Sequence, residues 1–392
     1  MELFKENQET LEKLGASITT REIKQQPTLW QEAFDHYNDQ RQRIEQFITS
    51  IIAAEKGKKI RVIFTGAGTS AYVGDSITPY LNHKGDKEHF IFESIPTTTI
   101  VSNPYDYLET EEPIILVSFA RSGNSPESVA TVKLAKQLVK NLYQLTITCA
   151  KEGQLALEAA GDKRNLLLLM PEKSNDLGFA MTGSFTCMLL SALLIFDTSN
   201  EDEKELFVQT AIQMGEEVIT RESEIEELLA GSIDRIAYLG SGSLAGLTRE
   251  AQLKVLELTA GKTATIFDSS VGFRHGPKSF VNEKTLVIVF VANDPYTRKY
   301  DLDIAEEIKA DTIAAAIVAV DTEADANFSG RRFTYSKGTA LPEAYLVLPY
   351  ILLAQTIAIH SALNVGNTPD TPSATGTVNR VVKGVKIYEY QD

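Results

Sequence analysis

From Lys59 onward the hydrophobic positions gather into short continuous runs, IRVIFT, HFIFES, PIILVSF, QLTITCA and NLLLLMP, separated by helix-length stretches with polar positions. Strands covered on both faces need continuous rather than alternating apolar runs, so the pattern predicts a parallel sheet packed between helices. Between Gly178 and about Leu229 it turns helical, first in the apolar GSFTCMLLSALLIF and then in an acidic amphipathic stretch. The alternation restarts with RIAYLG, TATIFDS, TLVIVFVAN and TIAAAIVAV, four more buried strands, before a long helix from about Pro342 to Leu363. Residues 1 to about 56 read as helices and as an appendage. Thr19 and Glu22 stand at capping-box spacing ahead of Ile23 there, and Pro27 interrupts the pattern. The last segment, from Asn367, is rich in Thr, Pro and Gly and reads as a loop with a short helical or extended end.

A chain of 392 residues is too long for one ordinary core. The expected fold is α/β: two tandem doubly wound parallel-sheet domains at 57–200 and 201–370, a helical leader at 1–56 and a tail at 371–392. The two halves share a repeat. Ile60 to Thr65 runs into Gly66-Ala67-Gly68-Thr69-Ser70, and 174 positions later Arg235 to Leu239 runs into Gly240-Ser241-Gly242-Ser243. About 50 residues after each turn, an apolar strand ends in a polar one, SFARSGNSPES and FVANDPYTRKYD.

A glycine turn between strand and helix aims backbone N–H groups and the positive helix end at one point, which suits phosphate. Thr69, Ser70 and Ser243 add hydroxyls. Ser122, Gly123, Asn124 and Ser125 should form a second nest beside the first turn, with Ser125 as N-cap and Pro126 opening the helix. Both turns also satisfy the relaxed dinucleotide fingerprint, with Ala71 and Ala245 in third position and Glu93 or Asp268 farther on. The hydroxyl-rich loop fits the compact phosphate of a small molecule better, but the NAD(P) reading stays open, as does a turn with no ligand.

Glu250, Lys254 and Glu257 lie on one helical face, where a solvated ion-pair stripe is the default. A carboxylate beside a phosphosugar is alternatively a base that moves a proton between carbons 1 and 2. His275, in the FRHGPKS turn, has the range for proton transfer to a sugar ring oxygen, or is simply exposed. His36, His83 and His89 have polar surroundings, and His360 reads as a hydrogen-bonded core residue. Lys383 is by itself an ordinary surface lysine, although near a carbonyl it would form a Schiff base or stabilise an enolate. Asp294 and Asp301 make no metal cluster without further ligands, and no metal motif is present.

A formal net charge of −15 argues against nucleic acid or an anionic membrane as partner, since both need clustered Lys and Arg. Cys149 and Cys187 sit in apolar stretches without metal spacing, as buried thiols in a reducing compartment do. The polar start MELFKENQETLEK is not a secretory signal, so a cytoplasmic location is expected. Tyr345 to Leu363 is interrupted by Pro349, Gln355 and His360 and reads as a core helix rather than a membrane span.

The segments TGAGTS, SFARSGNSPES, LGSGSLAGLTREAQLKVLELTAGKTA, FRHGP and NRVVKGVKIYE, with TREIKQQPTLW near the start, resemble the sugar isomerase (SIS) domain family over nearly the whole chain. As a pair, the domains resemble the isomerase half of glucosamine-6-phosphate synthase. With the short leader, the chain is most similar to the tagatose-6-phosphate ketose/aldose isomerase family, associated with deamination of galactosamine-6-phosphate. By motif, the resemblance implies a phosphosugar site at Gly68, Thr69, Ser70, Arg121, Ser122, Gly123, Asn124 and Ser125. It implies Glu257 as the proton shuttle, His275 as the ring-opening group, Lys383 near the carbonyl end, and Glu250 and Lys254 as further polar site residues. It also implies no cofactor, a tail that contributes to the site, and a homodimer whose active site is shared between subunits. Arg121 replaces the synthase pattern's glutamine and Ala120 its serine, so the loop gains a fixed charge and loses a hydroxyl. No glutaminase domain fits in some 50 leading residues, with Glu at position 2 in place of a catalytic cysteine. A phosphosugar-binding regulator without catalysis is the non-enzyme alternative.

Overall fold

The computed structural model describes residues 1–323, 328–376, 378–380, 382 and 384–391. The chain forms two compact units. One comprises Leu29–Asp176, Gly183–Glu201 and Thr377–Asp392, the other Met1–Thr28, Leu177–Thr182 and Asp202–Gly376.

The first unit is built on five parallel strands, β1 (Ile60–Thr65), β2 (Phe90–Ser94), β3 (Ile114–Ala120), β4 (Leu142–Thr148) and β5 (Asn165–Leu169), in the order β2-β1-β3-β4-β5. All five match the apolar runs of the sequence. Every residue of β3 is buried, as a central parallel strand requires. Phe64 of β1 stacks on Phe92 and Phe119 and meets Phe196 edge-on, each pair adding about 0.5–1.5 kcal/mol beyond area burial. Helix Gly183–Phe196 is buried almost throughout. Asp176 caps its start, accepting the N–H groups of Gly183 and Ser184 at 3.1 and 3.0 Å. Asp176→Ala would leave these buried donors unmet, and thermal denaturation should show a loss of about 1–3 kcal/mol. Leu29, Trp30 and Ala33, from the long helix Gln26–Ala54, are buried as well. This part of the leader is core rather than appendage.

The second unit carries β6 (Arg235–Gly240), β7 (Ala264–Ser269), β8 (Thr285–Phe290), β9 (Ala316–Asp321) and β10 (Arg331–Thr334) in the order β10-β9-β8-β6-β7, again all parallel. Read from the first strand of each sheet, the two orders are the same. β10 was not legible in the sequence: RRFT is four residues long and half of it is arginine. β7 is a strand but not a buried one, because as an edge strand it leaves Ala264, Phe267 and Ser269 exposed. Tyr238, Phe290, Tyr350 and Tyr335 form a continuous aromatic stack.

Helix Glu343–Asn364 is, among the described residues, the one helix long and apolar enough to cross a membrane, and 94% of that window is buried inside the protein. His360 lies on it in the hydrogen-bonded core position expected, 2.9 Å from Glu222. The Glu222 carboxylate also accepts the N–H groups of Leu3 and Phe4. The capping box expected at Thr19 and Glu22 does not form. The helix already starts at Ser17, which places both residues in its interior. Thr19 donates its N–H and hydroxyl to Asp370, and Glu22 accepts from Leu177 and Gly178.

Candidate active site

Both Gly-x-Gly turns adopt one backbone. Gly68 and Gly242 precede their helices with φ 56° in each and ψ −129° and −125°, a region that only glycine enters without strain. Gly68→Ala should therefore destabilise the first unit by about 1–3 kcal/mol, read as a fall in melting temperature. Gly66 is required for a different reason: a Cβ there would lie 2.6 Å from the Ser70 backbone. Thr97 fastens the turn, donating its N–H and hydroxyl to the Gly66 carbonyl at 2.9 and 3.1 Å. Thr69 and Ser70, the first residues of helix Thr69–Lys84, are buried at the end where helical N–H groups lack intrahelical partners.

In this sheet β1 has β2 on one side and β3 on the other, so the chain reverses direction across the sheet between them. Ligands of open parallel sheets bind in the crevice at such a switch point, beyond the carboxyl ends of the strands. The loop after β3 stands at that crevice. Arg121 is buried and donates from Nη2 to the Arg380 carbonyl at 2.6 Å. Arg380 in turn donates to the Asp176 carbonyl and Asn175 Oδ1, so this loop is tied to the C-terminal tail. Arg121 is thus not only a fixed charge: part of its guanidinium holds the chain. Gly123 takes φ 66°. Asn124 Oδ1 accepts the Gln154 N–H at 2.9 Å and its own N–H meets Ser122 Oγ at 3.3 Å, which shapes the loop. Ser125 stands just before Pro126, but its side chain makes no capping bond. Its carbonyl accepts the N–H groups of Ser128 and Val129 instead.

In the second unit, helix Ser243–Leu258 carries Glu250, Lys254 and Glu257 on one face, and that face is not a solvated stripe. The helix packs on Glu343–Asn364, and Glu250 and Lys254 are fully buried while the Glu257 side chain keeps 23% exposure. Lys254 Nζ lies 3.2 Å from Glu250 Oε1 and 2.6 Å from Glu257 Oε2. Burial alone would lower the Lys254 pKa, but the two carboxylates outweigh it and raise it. The outcome is a buried ammonium gripping a carboxylate that still reaches solvent.

His275 is exposed in the turn between short helical segments Gly272–Arg274 and Pro277–Phe280. Its flanking cations are anchored to helix Thr297–Asp311. Arg274 pairs with Asp303 and Glu307 at 2.7 and 2.5 Å, and Lys278 with Glu307 and Asp311 at 2.5 and 2.6 Å. Hydrogen bonds from Lys278 and Arg274 lower the Glu307 pKa. Glu307 had no signal in the sequence, because its partners are some 30 residues away. Lys383 lies outside the described residues. Cys149 and Cys187 are free and buried, and burial pushes the Cys149 thiol up to about 12.

The SIS domain family matches residues 56–196. Across 379 residues the chain is 43% identical to the D-galactosamine-6-phosphate deaminase AgaS of Escherichia coli, with 95% of this chain and 96% of that one covered. It matches the crystal structure of tagatose-6-phosphate ketose/aldose isomerase from Escherichia coli with a TM-score of 0.86 at 39% identity, covering 95% and 97% of the two chains. A structure from Clostridium novyi NT, assigned to the same isomerase, matches with a TM-score of 0.91 at 41% identity and covers both chains completely. The chain therefore belongs to the family of SIS-domain proteins that contains the AgaS galactosamine-6-phosphate deaminases and tagatose-6-phosphate ketose/aldose isomerases.

Proposed function

We propose that this protein is an aldose/ketose phosphosugar isomerase that deaminates galactosamine-6-phosphate to tagatose-6-phosphate and ammonia. One observation carries the reading: the Lys254–Glu257 pair, a partly exposed carboxylate fixed by a buried ammonium, in a chain 43% identical to a galactosamine-6-phosphate deaminase over nearly its full length. The phosphate is assigned to Gly68, Thr69, Ser70 and the loop Arg121, Ser122, Gly123, Asn124 and Ser125. The fixed Gly68 backbone and the buried hydroxyls of Thr69 and Ser70 support this. His275 assists ring opening. Glu257 takes the proton from carbon 2 and returns it to carbon 1, converting the open-chain aminoaldose through an enolamine into a ketimine. Water then adds at carbon 2, ammonia leaves, and the ketose phosphate remains. Glu250 and Lys254 position Glu257, and Lys383 is assigned to the carbonyl end.

In this reading each sheet with its helices is one doubly wound SIS domain, the leader precedes them and the tail completes the site. Identical strand orders support the tandem arrangement. The homodimer with a shared site gains support from the outward-facing β7 strand with its exposed Phe267, from the exposed Leu256 and Val271, and from the exposed His275. Buried free thiols support a cytoplasmic location.

Glu307 is a positioning residue for the His275 turn. Glu307→Ala should lower kcat by up to about 10²-fold through misplacement of His275, while KM moves little and Glu307→Gln recovers part of the loss. The pairs at Glu307 stabilise the turn above the ordinary glutamate range and are lost only as pH falls through its lowered pKa, so in the wild type the turn should loosen reversibly below that range, an acid step that Glu307→Ala should lack. Assaying a panel of hexosamine-6-phosphates for ammonia and ketose tests the substrate. Tight binding of a hexosamine-6-phosphate with no ammonia from any of them would instead mark a phosphosugar-binding regulator.

A further inference from the structure

The second sheet repeats the strand order, the Gly-x-Gly turn and the following helix of the first, yet its switch point is filled differently. Asp301, the fifth residue of helix Thr297–Asp311, is wholly buried there. Its Oδ1 accepts the hydroxyls of Ser241, in the turn after β6, and Ser270, after β7, at 2.5 Å each. Its Oδ2 accepts the N–H of Ala292, after β8, at 3.0 Å. Three loops at the carboxyl ends of three adjacent strands thus aim donors at one internal carboxylate. In the first sheet the fifth residue of the matching helix, Pro126–Leu138, is Ala130, and the middle of the glycine turn is Ala67 rather than a serine. Neither the carboxylate nor the Ser241 hydroxyl has a counterpart there.

Donors converging from strand ends on an anion are the chemistry by which such crevices hold phosphate. Burial raises the Asp301 pKa, and the two hydroxyls and the N–H counter this only in part. A phosphate beside this carboxylate would face like charge at close range.

We infer that the second sheet's switch point is an anion site whose occupant is the chain's own Asp301, so that the tandem repeat carries one phosphosugar site, on the first sheet. The number of phosphosugar sites rests on the function proposed above; the identity of the internal occupant does not.

Asp301→Ala removes the carboxylate and leaves its three donors facing a gap that formate can fill. Sodium formate should raise the melting temperature of this variant saturably over sodium chloride at equal ionic strength, with no such response in the intact chain. Should the variant fail to fold, refolding yield in formate against chloride gives the same reading: recovery in formate alone supports the site, and equal yields overturn it. Calorimetric titration of the full-length Glu257→Gln variant, in which turnover is blocked, with galactosamine-6-phosphate should give one molecule bound per chain. No formate-specific effect, or two phosphosugars per chain, would overturn the inference. No phosphosugar binding at all would contradict the functional reading instead, with the formate result still deciding the occupant.

Discussion

Glu257→Gln is expected to abolish ammonia release from galactosamine-6-phosphate while the sugar phosphate still binds. The amide matches the carboxylate in shape and keeps an oxygen toward Lys254, which holds the native side chain at 2.6 Å, but it cannot take up a proton from carbon 2. Loss of a positioned general base lowers rates by about 10²–10⁴-fold, and here one group both removes and returns the proton. Binding measured by calorimetry should change little, because the phosphate is assigned to Gly68, Thr69, Ser70 and the loop from Arg121 to Ser125 and not to Glu257. Full activity in this variant would refute the assignment of Glu257.

Lys254→Met should strongly destabilise the second unit. Methionine fills a similar volume, yet it leaves Glu250, fully buried, without the ammonium that now lies 3.2 Å away. Stranding a buried charge by removing its partner costs about 3–5 kcal/mol, readable in urea denaturation. The double variant Glu250→Gln/Lys254→Met should recover part of it, since the stranded charge is gone. The raised Lys254 pKa has a pH signature. Its stabilising contribution is fully present below the unfolded lysine pKa and is lost as pH rises through the folded one. Alkaline unfolding should therefore come earlier for wild type relative to the double variant. An unchanged urea midpoint for Lys254→Met would show that the network contributes nothing.

Much of the fold was legible because parallel strands buried on both faces leave continuous apolar runs, and among the described residues nine of the ten strands have one. RRFT in β10 fell below that signal, since a short edge strand tolerates arginines at its margin. TATIFDS looked buried because it is apolar in composition, and only its edge position in the sheet makes it exposed. For the site, the glycine turn was readable since Gly68 and Gly66 answer local constraints of backbone angle and close approach. The spacing of Glu250, Lys254 and Glu257 was readable too, but not its burial, which depends on a helix a hundred residues later. Asp301, Glu307 and the Arg121–Arg380 tie join residues about 30 to 260 positions apart, and nothing in local sequence marks such pairs.

The reaction proposed for this chain converts an aminosugar phosphate to a ketose phosphate with loss of ammonia. Purified protein incubated with galactosamine-6-phosphate, with ammonia and tagatose-6-phosphate measured together, tests it most directly. The two products should appear in a one-to-one ratio, and ammonia should be absent with Glu257→Gln. Failure of the wild-type protein to release ammonia from galactosamine-6-phosphate that it demonstrably binds would contradict the account.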